Sequence, residues 1–204
     1  MQTGTVKFGS WLALEPVTFV PEVLLHQAED MQGLWEAVGT PAPPYWAFPW
    51  LGGQALARYV LDHDVVRGRR VLDLATGSGL VAIAAALAGA ASVLAADIDP
   101  LSGEAVEANA DANGVEIAWS GDDLLETALP QVDVVLAGDV LYEQQMAGRV
   151  LTWLRAFDGT VLLGDPGRDY LPQQGLVEVA AYEIPTTREL EGVAVKRTRV
   201  FTLP

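Results

Sequence analysis

Asp73 and Asp97 each close a short apolar run, and between them lies the glycine turn Ala75-Thr76-Gly77-Ser78-Gly79. Gly77 and Gly79 permit backbone conformations and close approaches that a Cβ would block, and the helix expected next offers its unpaired N–H groups to an anionic ligand. Asp97 follows Gly77 by twenty residues (97 − 77), the spacing at which an acid accepts hydrogen bonds from ribose hydroxyls. Turn and acid together predict a nucleoside-bearing cofactor rather than a merely tight strand-to-helix connection. A second constellation is Gly138-Asp139-Val-Leu-Tyr142-Glu143, where a carboxylate and a phenol follow an apolar run. Its alternative reading is an Asp139 that caps the next helix and a Tyr142 that packs on the sheet. A third is the aromatic set Trp46, Phe48 and Trp50, followed by Gly52 and Gly53. These rings either wall a channel for an apolar stem and a cation or anchor a proline-rich arm on the core.

The elements that must position these groups follow from hydrophobic patterning. Residues 70–75, 92–97, 115–119, 132–139 and 160–165 are short apolar runs of the kind that make strands covered on both faces. Leu80, Ile83, Ala84 and Leu87 define a helix closed by Gly89; Pro100 opens a second, ended by Asn113-Gly114; a third spans about Glu143 to Phe157. This alternation predicts an α/β fold, a Rossmann-like doubly wound and mostly parallel sheet. Residues 176–186 and 193–203 have no helix between them and should add an antiparallel C-terminal hairpin at one edge. Residues 1–44, with an amphipathic patch at Met31 to Val38, read as an N-terminal appendage of the same domain, and 45–204 as its body.

Composition narrows the function. The 204 residues suit one compact domain. A net charge of −15 opposes nucleic-acid binding. Arg188, Lys196, Arg197 and Arg199 gather near the C-terminus, where they read as a solvated strand face or a local basic patch. Cysteine is absent, so disulfides and thiolate metal sites are excluded, and no metal is expected. There is no secretory leader pattern and no long uninterrupted apolar stretch, so the expectation is a cytoplasmic protein with no membrane partner.

Gly77-Ser-Gly79-Leu-Val-Ala82 also fits the dinucleotide pattern G-x-G-x-x-G/A. Against a nicotinamide cofactor, Asp73 would face a pyrophosphate badly but could receive the ammonium of an amino-acid moiety. Lys7, Lys196, His26 and His63, the chain's lysines and histidines, also sit away from strand ends suited to hydride-transfer acid–base work.

The segment Asp73-Leu-Ala75-Thr-Gly77-Ser-Gly79 resembles motif I, D/E-x-G-x-G-x-G, of the class I seven-strand S-adenosylmethionine-dependent methyltransferases, with alanine in place of the first glycine. "ADIDP", "GDDLL" and the terminal hairpin continue that resemblance. It implies that Asp97 holds the ribose, with Ile98 beside it, and that Asp123, or Asp122 as second choice, and the Leu124 amide meet the adenine. Asp139-Val-Leu-Tyr142 is similar to the post-strand-four D-x-x-Y/F motif of the family-16 protein lysine methyltransferases. "PPYWAFPWLGGQALARYVLDH" (43–63), "GDPGRDYLP" (164–172) and "IPTTRELEG" (184–192) resemble segments of the bacterial electron transfer flavoprotein β-subunit lysine methyltransferases. The likeness runs from about Pro16 to Leu203.

The resemblance implies S-adenosyl-L-methionine as cofactor, with S-adenosyl-L-homocysteine as product, and a lysine of the electron transfer flavoprotein β-subunit as acceptor. The cofactor set is Trp50, Gly52, Asp73, Ala75, Thr76, Gly77, Gly79, Asp97, Ile98, Asp123, Leu124 and Gly138. Asp139 and Tyr142 are the expected catalytic pair, and Trp46 and Arg168 the expected substrate contacts. Methyl transfer needs an aligned amine lone pair, and a lysine ionises near pH ~10.4, so its proton must leave first. The alternatives are a small-molecule N-methyltransferase of the nicotinamide type, an NAD-dependent oxidoreductase and a non-catalytic cofactor-binding protein. A monomer is expected.

Overall fold

The structure is a computed structural model that describes residues 11–187 and 191–203. Arg188, one of the C-terminal basic residues singled out above, lies outside them. The described chain begins with an antiparallel hairpin, β1 (Leu12–Val17) and β2 (Val20–Ala28), which forms a sheet of its own. The sequence reading placed no strands here, because Pro16 and Pro21 interrupt the run and the alternation is irregular. Helix α1 (Met31–Val38) follows, capped by Asp30, whose side chain accepts from the Gly33 amide, and closed by Gly39 at φ 69°. This is the amphipathic patch expected there. A short turn at Tyr45–Ala47 leads into α2 (Leu51–Asp62).

The main sheet then builds by alternation through β3 (Arg70–Leu74), α3 (Leu80–Leu87), β4 (Ser92–Ala96), α4 (Pro100–Asn113) and β5 (Ala118–Ser120). Continuing, β6 (Val134–Gly138), α5 (Gln144–Ala156) and β7 (Thr160–Asp165) precede the terminal pair β8 (Val177–Pro185) and β9 (Val195–Thr202). Strand order is β5-β4-β3-β6-β7-β9-β8, with β3 to β7 parallel and β9 antiparallel to both β7 and β8. The expected mostly parallel sheet with an antiparallel edge hairpin is what the chain forms. β3 pairs with β4 on one side and β6 on the other, so chain order reverses there and a crevice opens beyond the carboxyl ends of these strands.

The sheet is covered on both faces, which explains the uninterrupted apolar strands. On one face Leu56, Val60, Val81 and Ala85 pack with Leu136 and Leu162; on the other Val150, Leu151 and Leu154 pack with Leu72, Val135 and Leu163. One expected strand is shorter than its apolar run. Residues 115–119 were expected to be extended, but β5 holds only Ala118–Ser120, since Val115 and Ile117 are spent packing on the N-terminal hairpin.

Two devices set the crevice. The first is a backbone-to-backbone contact in which α2 lies on the strand ends without side chains between. A Cβ on Gly52 would come within 2.5 Å of the Asp139 nitrogen, and one on Gly138 within 2.8 Å of the Gly53 Cα. The second is Asn109 of α4, wholly buried. Its Nδ2 donates to the Ser78 carbonyl at 2.8 Å, while its Oδ1 accepts from the His26 amide at 2.8 Å. Asn113 exchanges bonds with both backbone groups of Leu24, so α4 joins the hairpin to the glycine turn.

Candidate active site

The turn after β3 takes its shape from positive backbone angles at Ala75 (φ 55°), Gly77 (φ 55°) and Gly79 (φ 82°). Alanine in this left-handed region costs on the order of 1–2 kcal/mol, the consequence of its replacing the usual first glycine. The Gly77 amide donates to Asp97 Oδ2 at 2.9 Å and its carbonyl accepts from Ser102 Oγ at 2.7 Å, so the turn is braced from β4 and α4.

A cavity of about 540 Å³ sits over this turn at the carboxyl ends of the parallel strands, within the size range of small-molecule sites. Asp73, Ala75, Thr76, Gly77, Asp97, Ile98, Asp123, Leu124, Gly138, Asp139, Tyr142, Trp46, Trp50 and Arg168 all line it. Fifteen of the sixteen residues singled out in the sequence therefore converge or, like Gly79, cap the bordering helix α3. Gly52 is the exception and a correction, since it does not line the cavity. It packs on Gly164 and donates its amide to Asp139 Oδ2 at 3.0 Å.

Asp73 is 1% exposed, and both donors that reach it, Thr76 Oγ1 at 2.6 Å and the Ala82 amide at 3.0 Å, use the same oxygen. Burial pushes its carboxyl up to about 7, and no cation pairs with it among the described residues. Such an acid at a cavity wall suits an ammonium group. Burial likewise raises Asp97, whose oxygens take the Gly77 and Asp99 amides. Asp123 accepts from the Leu125 amide and from Arg149 at 2.8 Å, which fixes its carboxylate at the cavity edge. Ile98, 68% exposed, lays an apolar surface beside Asp97. An ammonium site, a ribose acid and an apolar shelf with an acid beyond it are the donor set that S-adenosylmethionine requires, and the site fits that cofactor.

The opposite wall holds the aromatics. Trp46 (2% exposed) and Phe48 (4%) are buried with Leu34, Ala47 and Ala105, so the arm-anchoring reading describes them and Trp46 offers the cavity only an inner edge. Trp50 donates its indole N–H to the Tyr45 carbonyl at 2.9 Å. Tyr45 and Tyr142, both more than a third exposed, set their ring centroids 5.4 Å apart at the rim. Tyr45, which lies inside the aromatic segment 43–63, was not singled out in the sequence, because no spacing distinguishes it from the tryptophans and phenylalanine beside it. Burial, then the nearby Tyr45, Asp97 and Asp139, push the Tyr142 phenol up to about 12, so it stays protonated.

Asp139 adopts φ 60° and is 6% exposed. The alternative capping role belongs instead to Glu143, whose carboxylate accepts from the Gln145 and Met146 amides at the start of α5. Asp139 is engaged by Gly52 and, through both oxygens, by Arg168 at 2.6 and 3.1 Å. Arg168 also grips Glu191 at 2.8 Å, and its guanidinium lies 6.0 Å over the Trp50 ring. Burial disfavours its charge, but hydrogen bonds and charge from Asp139 and Glu191 outweigh that and hold it above its ordinary value. Of the C-terminal cations, Arg197 pairs with Glu178 on an exposed strand face, Lys196 lies near the buried Glu191, and Arg199 stacks over Phe201.

A mostly parallel seven-strand sheet with its cavity at the order reversal, a glycine turn and acids at the ends of β3 and β4 define a class. The chain has the fold of the class I S-adenosylmethionine-dependent methyltransferases. Within that class it is similar to the electron transfer flavoprotein β-subunit lysine methyltransferases of Rattus norvegicus (41% identical) and Homo sapiens (44%), over 78% of this chain. The chain spans 66% and 64% of those relatives' lengths, just short of two thirds. Residues 54–143 also match the ribosomal protein L11 methyltransferase (PrmA) family. A solved ribosomal protein L11 methylase from Lactobacillus delbrueckii subsp. bulgaricus superposes with a TM-score of 0.50 at 27% identity, covering 71% of this chain and 76% of its own. Among the described residues no helix is long and apolar enough to cross a membrane.

Proposed function

We propose that this chain transfers methyl groups from S-adenosylmethionine to a lysine side chain of a protein, the electron transfer flavoprotein β-subunit, acting as a cytoplasmic monomer. The observation that carries the reading is a cavity lined by Asp73, Asp97 and Asp123 together with the buried Asp139, with Tyr142 and Tyr45 exposed at its rim. An enclosed pocket would suit a small molecule; exposed Tyr45 and Tyr142 favour a side chain reaching in from a partner. The names of the 41–44% identical relatives point to the same acceptor.

When bound, S-adenosylmethionine supplies an electrophilic methyl group on a sulfonium. Asp73 takes the ammonium of its amino-acid end, Asp97 the ribose hydroxyls, and Asp123 with the Leu124 amide the adenine. Tyr45, Trp50 and Tyr142 flank the lysine stem, and the protonated Tyr142 serves as wall and donor, never as base. Asp139 offers the amine lone pairs left over from Gly52 and Arg168. Acids dominate the lining, with Asp73, Asp97, Asp99, Asp122, Asp123, Asp139 and Glu143 against Arg149 and Arg168. That field draws an ammonium in, and desolvation then favours its neutral form.

The deciding experiment titrates the purified protein by calorimetry with S-adenosylhomocysteine and separately with NAD, then supplies labelled methyl donor with purified flavoprotein. Homocysteine-product binding and label on a β-subunit lysine are expected. Binding of NAD alone sinks the proposal, and cofactor binding with no labelled protein redirects it to small-molecule acceptors.

A further inference from the structure

The densest knot of buried charge lies on the substrate side of the cavity. Arg168 is held between two nearly inaccessible carboxylates, Asp139 with 4% and Glu191 with 3% of the side chain exposed. Its Nε and Nη2 meet the Asp139 oxygens, while Nη1 and Nη2 reach the two Glu191 oxygens at 3.2 and 2.8 Å. Glu191 comes from the connection between β8 and β9, and Asp139 from the end of β6, so one planar fork ties together two distant stretches of chain. A guanidinium gripped at both ends has a single orientation, which a lysine in its place could not reproduce.

We infer that Glu191 is a positioning residue for methyl transfer: it fixes Arg168, and Arg168 in turn fixes both the Asp139 carboxylate and a positive charge beside the acceptor amine. The inference rests on the lysine-methylation reading. Its electrostatic content is specific. A lone Asp139 would hold an incoming ammonium in its charged, unreactive form. Arg168 and Lys196 offset Asp139 and Glu191, so the amine meets a nearly balanced cluster. The other groups facing the knot are Tyr142 and Glu143 after β6, Asp97 after β4, Asp165 at the end of β7 and Arg199 beside Gly167. Burial raises Asp165, and its Oδ1 is occupied by the Gly167 and Arg168 amides, so it braces the backbone rather than the guanidinium.

The balance gives the two sides of the knot opposite signatures. Glu191→Gln removes a negative charge, so the rising limb of the pH–rate profile moves to lower pH. Arg168→Gln removes a positive charge, so that limb moves to higher pH. Each shift is about half a pH unit or more. The assay uses the full chain and a flavoprotein acceptor, with kcat, KM and S-adenosylhomocysteine affinity measured for both variants and for Glu191→Asp. Glu191→Gln is expected to lose about tenfold in kcat, the worth of a charge-assisted hydrogen-bond pair, with product affinity within about twofold of wild type and partial recovery in Glu191→Asp. Limbs that stay in place, or move in the same direction, overturn the assignment, as does an unchanged kcat in Glu191→Gln. If Glu191→Gln fails to bind the product, the direction of the Arg168→Gln shift decides. A wild type that methylates no lysine overturns the underlying reading and the assignment with it; an active wild type with unmoved limbs overturns the assignment alone.

Discussion

Asp73 is a carboxylic acid held near neutrality by its own burial, and that single fact links the cofactor to pH. With its carboxyl pushed up to about 7, the folded protein favours the protonated form. The stability this contributes is fully present below the ordinary carboxyl range, near pH ~4, and is lost as pH rises through about 7. An arriving ammonium demands the opposite charge state. Wild-type affinity for S-adenosylhomocysteine is therefore expected to rise about tenfold from pH ~6 to ~8, with Asp73→Asn binding weakly and without that dependence. Calorimetry at the two pH values checks this, and equal wild-type affinities would place the ammonium elsewhere. By thermal melts without ligand, Asp73→Asn should gain on the wild type as pH rises from ~5 to ~8, because only the wild type must then bury a charge.

The contact between α2 and the sheet is made of main chain, and this constrains substitution more than any side chain on the helix. A Cβ at Gly52 meets the Asp139 nitrogen at 2.5 Å, backbone that cannot swing aside. Gly52→Ala is expected to cost about 2 kcal/mol or more of stability, as overpacked sites do, and to lower activity further by breaking the Gly52 amide's bond to Asp139. Denaturant unfolding with a parallel activity assay separates the two losses. The sequence reading assigned Gly52 to the cofactor, since nothing in one strand of text tells a glycine which partner comes near. Periodicity located β3, β4, β6 and β7 because each is a short apolar run, and the terminal pair because two strand-like runs follow each other with no helix between, while Asn-Gly and Pro signals bounded α4. It missed β1 and β2, where the apolar residues face α3 and α4 rather than a continuous sheet. In the site, Asp73, Asp97 and Asp139 were legible as acids at strand ends. Glu191 and Arg149 were not, because their partners Arg168 and Asp123 lie 23 and 26 residues away (191 − 168 and 149 − 123), beyond any local spacing.

At the scale of the molecule, the charge of −15 and the acid-dominated cavity act at long range on whatever approaches. For a protein acceptor presenting lysine, KM is expected to rise several-fold between ionic strengths of ~0.05 and ~0.3 M as the field is screened, while affinity for S-adenosylhomocysteine changes little. Steady-state kinetics across a salt series tests this; a flat KM would mean that short-range contacts alone recognise the partner. Architecture adds a different kind of reach. The buried amide of Asn109 holds the Ser78 carbonyl in the glycine turn with its nitrogen and the His26 amide of the N-terminal hairpin with its oxygen. One side chain thus belongs to two equilibria, the docking of the hairpin and the occupancy of the turn, and equilibria that share a group must bias each other reciprocally. A bound nucleoside is therefore expected to steady the β1–β2 hairpin, and fraying of that hairpin to loosen, by the same amount, the hold on the nucleoside.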